Sequence, residues 1–281
     1  MSLALVGIRH TVFGAAGIPA VPKLVGYYAE RLAPYGVPAV PRRYLSGNRN
    51  SVSSMSLRVV EEYRAGGAFD VVISAHAVPD SDPLVSLAGG YARAYDDGAL
   101  VFAVSDQGRL APFAALRLAM AYPERQRVLV IALDQSAVPF NDPGMAELDP
   151  TVDHAVGLLL CPREPRPREL RPQGTVTVEL LPTRAGVPRH LVGSAVRAAL
   201  AGRDVDLVVT GPFVTAVTGW TVRPAPRDQL CTSVWSVLAD ELTTDELTTP
   251  ATRYRRIAVA DYEPALRYLC LAILDIPPDR P

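Results

Sequence analysis

The sequence predicts an α/β fold of two similar halves, each a sheet covered by helices, and three segments carry that prediction. Met55 to Ala75 (MSLRVVEEYRAGGAFDVVISA) places apolar Leu57, Val60 and Tyr63 at helical spacing, stops at Gly66-Gly67 and, after Asp70, enters the apolar strand Val71-Val72-Ile73. Leu191 to Gly211 (LVGSAVRAALAGRDVDLVVTG) repeats the order, helix, Gly202, an aspartate and the strand Leu207-Val208-Val209. The two copies lie roughly 135 residues apart, which points to a duplicated αβ unit. The third segment, Ala99 to Tyr122, reads as a buried strand that turns sharply through Ser105-Asp106-Gln107-Gly108 into a helix. At such a corner the strand end and the first helical N–H groups converge, so a side chain there is aimed into a site and feels the positive end of the helix. Asp106 occupies that position.

The remaining elements fit the same plan. Arg127 to Leu133 (RVLVIAL) and Ala155 to Leu160 (AVGLLL) are continuous apolar runs suited to strands buried on both faces. Cys161 to Gly174 (CPREPRPRELRPQG) is rich in proline and charge and can continue neither a helix nor a central strand, so it separates the halves, 1–165 and 166–281. Thr175 to Leu181 (TVTVELL) opens the second half by alternation. Thr232 to Leu242 reads as a helix, Leu242 to Thr252 as a polar Thr-rich loop, Ile257 to Ala260 as a strand and Tyr262 to Ile276 as the closing segment.

Composition excludes several function classes. The chain has 281 residues, 49% of them apolar and 20% charged, enough to bury a large core. Its 28 basic and 29 acidic residues give a net charge of −1 and are scattered in mixed runs, so neither nucleic acid nor an anionic membrane is an expected partner. No apolar run reaches the roughly 18 residues needed to cross a bilayer, and the N-terminus lacks the charge and length of a secretory signal, so the expected location is cytoplasmic. Cys161, Cys231 and Cys270 are far apart, as are His10, His76, His154 and His190, with no metal-ligand spacing. Gly89-Gly90 belongs to no phosphate-cradling loop, so no metal and no cofactor is expected.

The order of these motifs resembles the thiolase fold, and within it the ketoacyl-acyl-carrier-protein synthase III branch of condensing enzymes. The resemblance rests on Phe69-Asp70-Val71-Val72-Ile73-Ser74-Ala75 followed by Pro79-Asp80, on the strand, corner and helix of Val101 to Leu118, and on the strand Val128 to Ile131. It also rests on Asp153-His154-Ala155-Val156, similar to the family's D-G-A-x-A turn with His154 in place of its glycine. It implies two halves, each with a mixed sheet, layered α-β-α-β-α. The family's chemistry uses a corner cysteine as acyl acceptor and a histidine and asparagine from the second half. In this chain the matching positions hold Asp106, Gly211 and Cys231. A carboxylate cannot hold an acyl thioester, and Gly211 supplies no oxyanion partner.

Each substitution has two readings. Asp106 is a general base or a decarboxylation aid, or else an N-cap that closes its helix; Gln107 takes its place if the register shifts by one. Cys231 is a relocated nucleophile, or an inert thiol with no base beside it. Ser105 is a serine nucleophile only if a base reaches it. His76 follows a strand end, a site-like place, yet a lone histidine there more often bonds to its loop. Arg42, Arg43, Arg49 and Arg109 would meet a phosphopantetheine or an acidic partner, or else lie solvated at the surface.

Members of this fold dimerise through their N-terminal halves beside the corner helix, and some form heterodimers with one inert subunit. The resemblance therefore implies a non-catalytic subunit that pairs with an active ketosynthase III-type enzyme in fatty-acyl or polyketide-type specialised-metabolite biosynthesis. Two alternatives stand beside it. One is an atypical acyltransferase, thioesterase or decarboxylase acting on acyl thioesters through Asp106, Ser105 or Cys231. The other is a homodimer that binds an acyl thioester such as acyl-CoA, or an acyl carrier protein.

Overall fold

The computed structural model describes residues 3–16, 21–122, 127–137, 151–162, 176–242 and 254–277. The first half contributes strands β1 (Leu3–Phe13), β2 (Val71–His76), β3 (Leu100–Val104), β4 (Val128–Asp134) and β5 (Asp153–Pro162). Helices α1 (Pro22–Leu32), α2 (Pro41–Ser46), α3 (Val52–Arg64), α4 (Leu87–Ala94) and α5 (Ala111–Met120) interleave them. The second half contributes β6 (Val176–Leu180), α6 (Val192–Leu200), β7 (Leu207–Thr210), β8 (Thr221–Pro224), α7 (Ser233–Leu242), β9 (Arg256–Glu263) and β10 (Tyr268–Asp275).

The sheet topology expresses the duplication directly. Strands run β3-β2-β4-β5-β1 through the first half and, counted from the opposite edge, β8-β7-β9-β10-β6 through the second. In each half the first three strands of that order are mutually parallel and the last two join antiparallel. The halves meet where β1 pairs with β6 at Leu3–Val178, Ala4–Thr177 and Leu5–Val176, so the two mixed sheets form one continuous ladder.

Alternation along the strands sets the layers. Val71 and Ile73 of β2 and Val130 of β4 face a cluster shared with Phe113 and Leu116 of α5, Trp235 and Leu238 of α7, and Val209 and Val259 of the second half. Val72, Leu129 and Ile131 point to the other face, against Met55, Val59 and Val60 of α3 and Tyr91 of α4. Val208, Ala258 and Leu271 likewise pack against Val192, Val196 and Leu200 of α6. The result is α-β-α-β-α, with α5 and α7 side by side at the centre and Phe113 and Trp235 in contact at 4.9 Å between ring centroids. The expected Pro79-Asp80 loop has a structural task, since the Asp80 carboxylate accepts the N–H groups of Val52 and Ser53 at the start of α3.

One expectation needs correction. β3 is the sheet's edge rather than a buried strand, with Leu100 41% exposed, because an apolar run suits an edge that another chain covers as well as it suits a core. The sequence pattern also gives no sign of β1, whose Gly7, Arg9, His10 and Thr11 interrupt its apolar residues. The proline-rich break and the Thr-rich loop lie, apart from their first residues, outside the described residues. Among the described residues, no helix is long and apolar enough to cross a membrane.

Candidate functional site

The corner after β3 has the geometry that the sequence leads one to look for. Asp106 adopts φ 64° and Gly108 φ 54°, and the chain then passes through a short 3-10 turn, Gly108–Leu110, into α5. A non-glycine residue held at positive φ between a strand and a helix is the conformation of a nucleophile elbow. Gln107, by contrast, has φ −102°. Asp106 is exposed, however, and makes no hydrogen bond among the described residues. It does not cap the helix, which corrects the N-cap expectation: its left-handed backbone is not the extended conformation of a capping residue.

Another carboxylate takes that place. Glu263, the last residue of β9, accepts the backbone N–H of Arg109 at 3.2 Å. A Cβ at position 108 would overlap the Glu263 carboxylate, so both the turn and the close approach require glycine there. The positive end of the corner helix is thus occupied by a side chain from the other half.

Arg109, expected at the surface, is 2% exposed and reaches across the interface between the halves. Its Nε donates to Asp261, 2.9 Å from Oδ1 and 3.0 Å from Oδ2. Its Nη2 donates to the carbonyls of Gln229 and Leu230 and to Ser233 Oγ, while the guanidinium stacks 5.2 Å from the Phe213 ring centroid. Asp261 is fully buried and also accepts the N–H of Tyr262 at 2.8 Å. Burial pushes its pKa up to about 6 against the pull of Arg109, which leaves it ionised at neutral pH. Gly211 belongs to the same cluster, since a Cβ on it would collide with the Asp261 carboxylate. The position matched to the family's histidine therefore faces a salt bridge instead of an open site.

Cys231 sits at the equivalent corner of the second half, just before α7. It is fully buried; its N–H donates to Asp134 Oδ1 at 2.8 Å and its thiol to the Gly108 carbonyl at 3.4 Å. Burial, reinforced by Asp134, raises the thiol well above its ordinary pKa, so it stays protonated and a poor nucleophile. Asp134 accepts the N–H groups of Leu230 and Thr232 as well and caps α7.

The other candidates are dispersed. Ser105 is half-buried, with no hydrogen-bonded base among the described residues. His76 Nδ1 lies 2.6 Å from the Val78 carbonyl, the loop contact expected of it. His154 Nδ1 lies 3.1 Å from Nε2 of His10, and burial followed by that neighbouring ring lowers the His10 pKa. Arg42 is exposed, Arg49 donates to the carbonyls of Leu45 and Gly47, and the Arg43 side chain lies outside the described atoms. No group of three or more His, Cys, Asp or Glu side chains is placed to hold a metal among the described residues. Of the residues that organise the site, Arg109 is among the sequence candidates, although for an external partner or the surface, whereas Asp261 and Glu263 belong to no motif. A signal existed: Asp261 follows the apolar run Ile257 to Ala260, and a carboxylate inside a buried strand requires a partner.

No protein-family model and no curated protein sequence matches the chain. Solved structures do. A variant of Xanthomonas campestris OleA with bound lauric acid and lauroyl-CoA superposes with a TM-score of 0.61 at 14% identity, over 98% of this chain and 99% of that one. Acetamide-bound OleA gives 0.60 at 14% identity with the same coverage. ChlB3, an acyltransferase, gives 0.59 at 11% identity over 98% of each chain. The chain has the thiolase fold.

Proposed function

We propose that this chain is a non-catalytic ketosynthase-III-like subunit, with halves 1–165 and 166–281, that pairs with an active condensing enzyme in fatty-acyl or polyketide-type assembly. The observation that carries the reading is the buried Arg109–Asp261 ion pair against Gly211. A condensing site needs a polarising group and a reactive thiol facing a vacant space. Here the corresponding region holds a salt bridge, the Glu263 carboxylate fills the helix end, and the Cys231 thiol is sealed in.

The sheet edges support the pairing half of the reading. β8 and β3 are equivalent by topology, yet β8 ends in Arg223-Pro224, two residues that discourage strand addition, whereas β3 is Leu-Val-Phe-Ala-Val. An uncharged, proline-free edge at one end of the sheet suits coverage by another subunit, and the acyl ligand or carrier protein would then belong to the pair. One observation favours a second reading: the free carboxylate of Asp106 in a strained corner is what an active centre would keep.

The test is to co-express the chain with a synthase III that retains its cysteine, histidine and asparagine and to isolate the complex. Ala103→Lys, at an exposed position of β3, is expected to abolish the complex without unfolding the chain. Survival of the complex in that variant, or failure of the wild-type chain to pair with any such synthase, would sink the reading.

A further inference from the structure

A cleft of about 310 Å³ opens beside the corner, between α5 and the start of β10. Leu110 and Ala114 from the α5 side and Ala185 and Tyr268 from the second half give it apolar lining, with the polar Gln107 beside them at the corner. At its polar end stand Arg117, Thr183 and Cys270. Arg117 is half-buried and donates Nη2 to the Leu181 carbonyl at 2.8 Å, with Nη1 3.8 Å from Cys270 Sγ. Thr183 Oγ1 lies 3.5 Å from the same sulfur. Among the described residues no carboxylate pairs with Arg117, whereas Arg64, Arg109, Arg203, Arg223 and Arg256 each have one.

A half-buried guanidinium without a counter-ion, set at the end of an apolar cleft, is a vacant anion position. We infer that this cleft binds a small monocarboxylate with an apolar tail, its carboxylate held by Arg117 and the Thr183 hydroxyl and its tail against Leu110, Ala114 and Tyr268. A phosphate dianion fits less well, because a single guanidinium and a single hydroxyl leave most of its oxygens without donors. Water alone would satisfy the polar end but not the apolar lining. The inference goes beyond the pairing reading and does not depend on it.

Octanoate is the probe and octanol its neutral counterpart, titrated calorimetrically into the full chain. Octanoate is expected to bind saturably at one site, and Arg117→Met to weaken it by about ten-fold or more, the effect of losing a charge-assisted hydrogen bond. Octanol binding is expected to be the same in wild type and Arg117→Met. Ala114→Leu, which fills the cleft and leaves Arg117 intact, is expected to remove binding of both ligands. Should Arg117→Met fold poorly for want of its bond to Leu181, Arg117→Lys is the substitute and is expected to retain octanoate binding. Absence of saturable octanoate binding, equal affinity for acid and alcohol, or wild-type affinity in Arg117→Met would each overturn the inference. Complex formation with the synthase, read by size exclusion on the same samples, separates this outcome from failure of the pairing reading.

Discussion

Replacing Arg109 by methionine tests whether the ion pair between the halves is what now fills the site. The substitution preserves most of the buried volume and removes the charge, so the loss comes from the groups left behind. Asp261, with no exposure, would keep only the Tyr262 N–H at 2.8 Å and the Ser233 hydroxyl at 3.5 Å. The carbonyls of Gln229 and Leu230 would lose their donor. Breaking a buried pair from one side destabilises by about 3–5 kcal/mol, against an ordinary domain stability of about 5–15 kcal/mol. The value depends on pH in a defined direction. Without Arg109 the carboxylate takes up a proton more readily still, so the penalty shrinks when Asp261 is already protonated, below about pH 6. Urea unfolding of wild type, Arg109→Met, Asp261→Asn and the double variant closes a cycle, with an expected coupling of about 2–3 kcal/mol at pH 7.5 and less at pH 5. A coupling below about 0.5 kcal/mol at pH 7.5 would refute the reasoning, because two desolvated partners in direct contact cannot be that independent.

Asp106→Val is expected to lower stability by about 2 kcal/mol and Asp106→Gly to leave it nearly unchanged, since the residue is exposed and only its φ of 64° resists a β-branched side chain; equal thermal midpoints would contradict this. Gly211→Ala is expected to cost about 3 kcal/mol in urea unfolding, because the new methyl group collides with the Asp261 carboxylate, and a cost under about 1 kcal/mol would show that the carboxylate moves freely. Asp261 has a folded pKa raised by burial to about 6 from 3.8, so its contribution to stability is fully present below the unfolded value and is lost as pH rises through 6. Stability of the Asp261→Asn variant measured between pH 4 and 7 should lack that decline, and a profile parallel to wild type would argue against it.

Local periodicity made much of the fold readable. The α3–β2 and α6–β7 units are visible because helix spacing, glycine stop and apolar strand follow one another within a short window. Strand order is not legible, since β1, at the start of the chain, pairs with the mid-chain strands β5 and β6 and no local pattern encodes that. The edge position of β3 was hidden for a related reason, as its apolar run answers to a neighbour whether that neighbour is in the same chain or another. At the site, the corner at Asp106 and the replacements Gly211 and Cys231 could be found by alignment of motifs. Their meaning depends on Arg109 and Asp261, which lie 152 positions apart and come together only when the halves close. An isolated arginine usually lies at the surface and a helix start usually supplies its own cap, so nothing local in the sequence marks Arg109 as buried or Asp106 as free of the helix.

The proposed role, folding and pairing without chemistry of its own, is decided by product formation in the reconstituted complex with an active synthase III, comparing the wild-type chain with the double variant Asp106→Ala, Cys231→Ala. Turnover is expected to be unchanged with the complex intact. A collapse of turnover in a complex that still forms would place the chemistry in this chain and contradict the proposal.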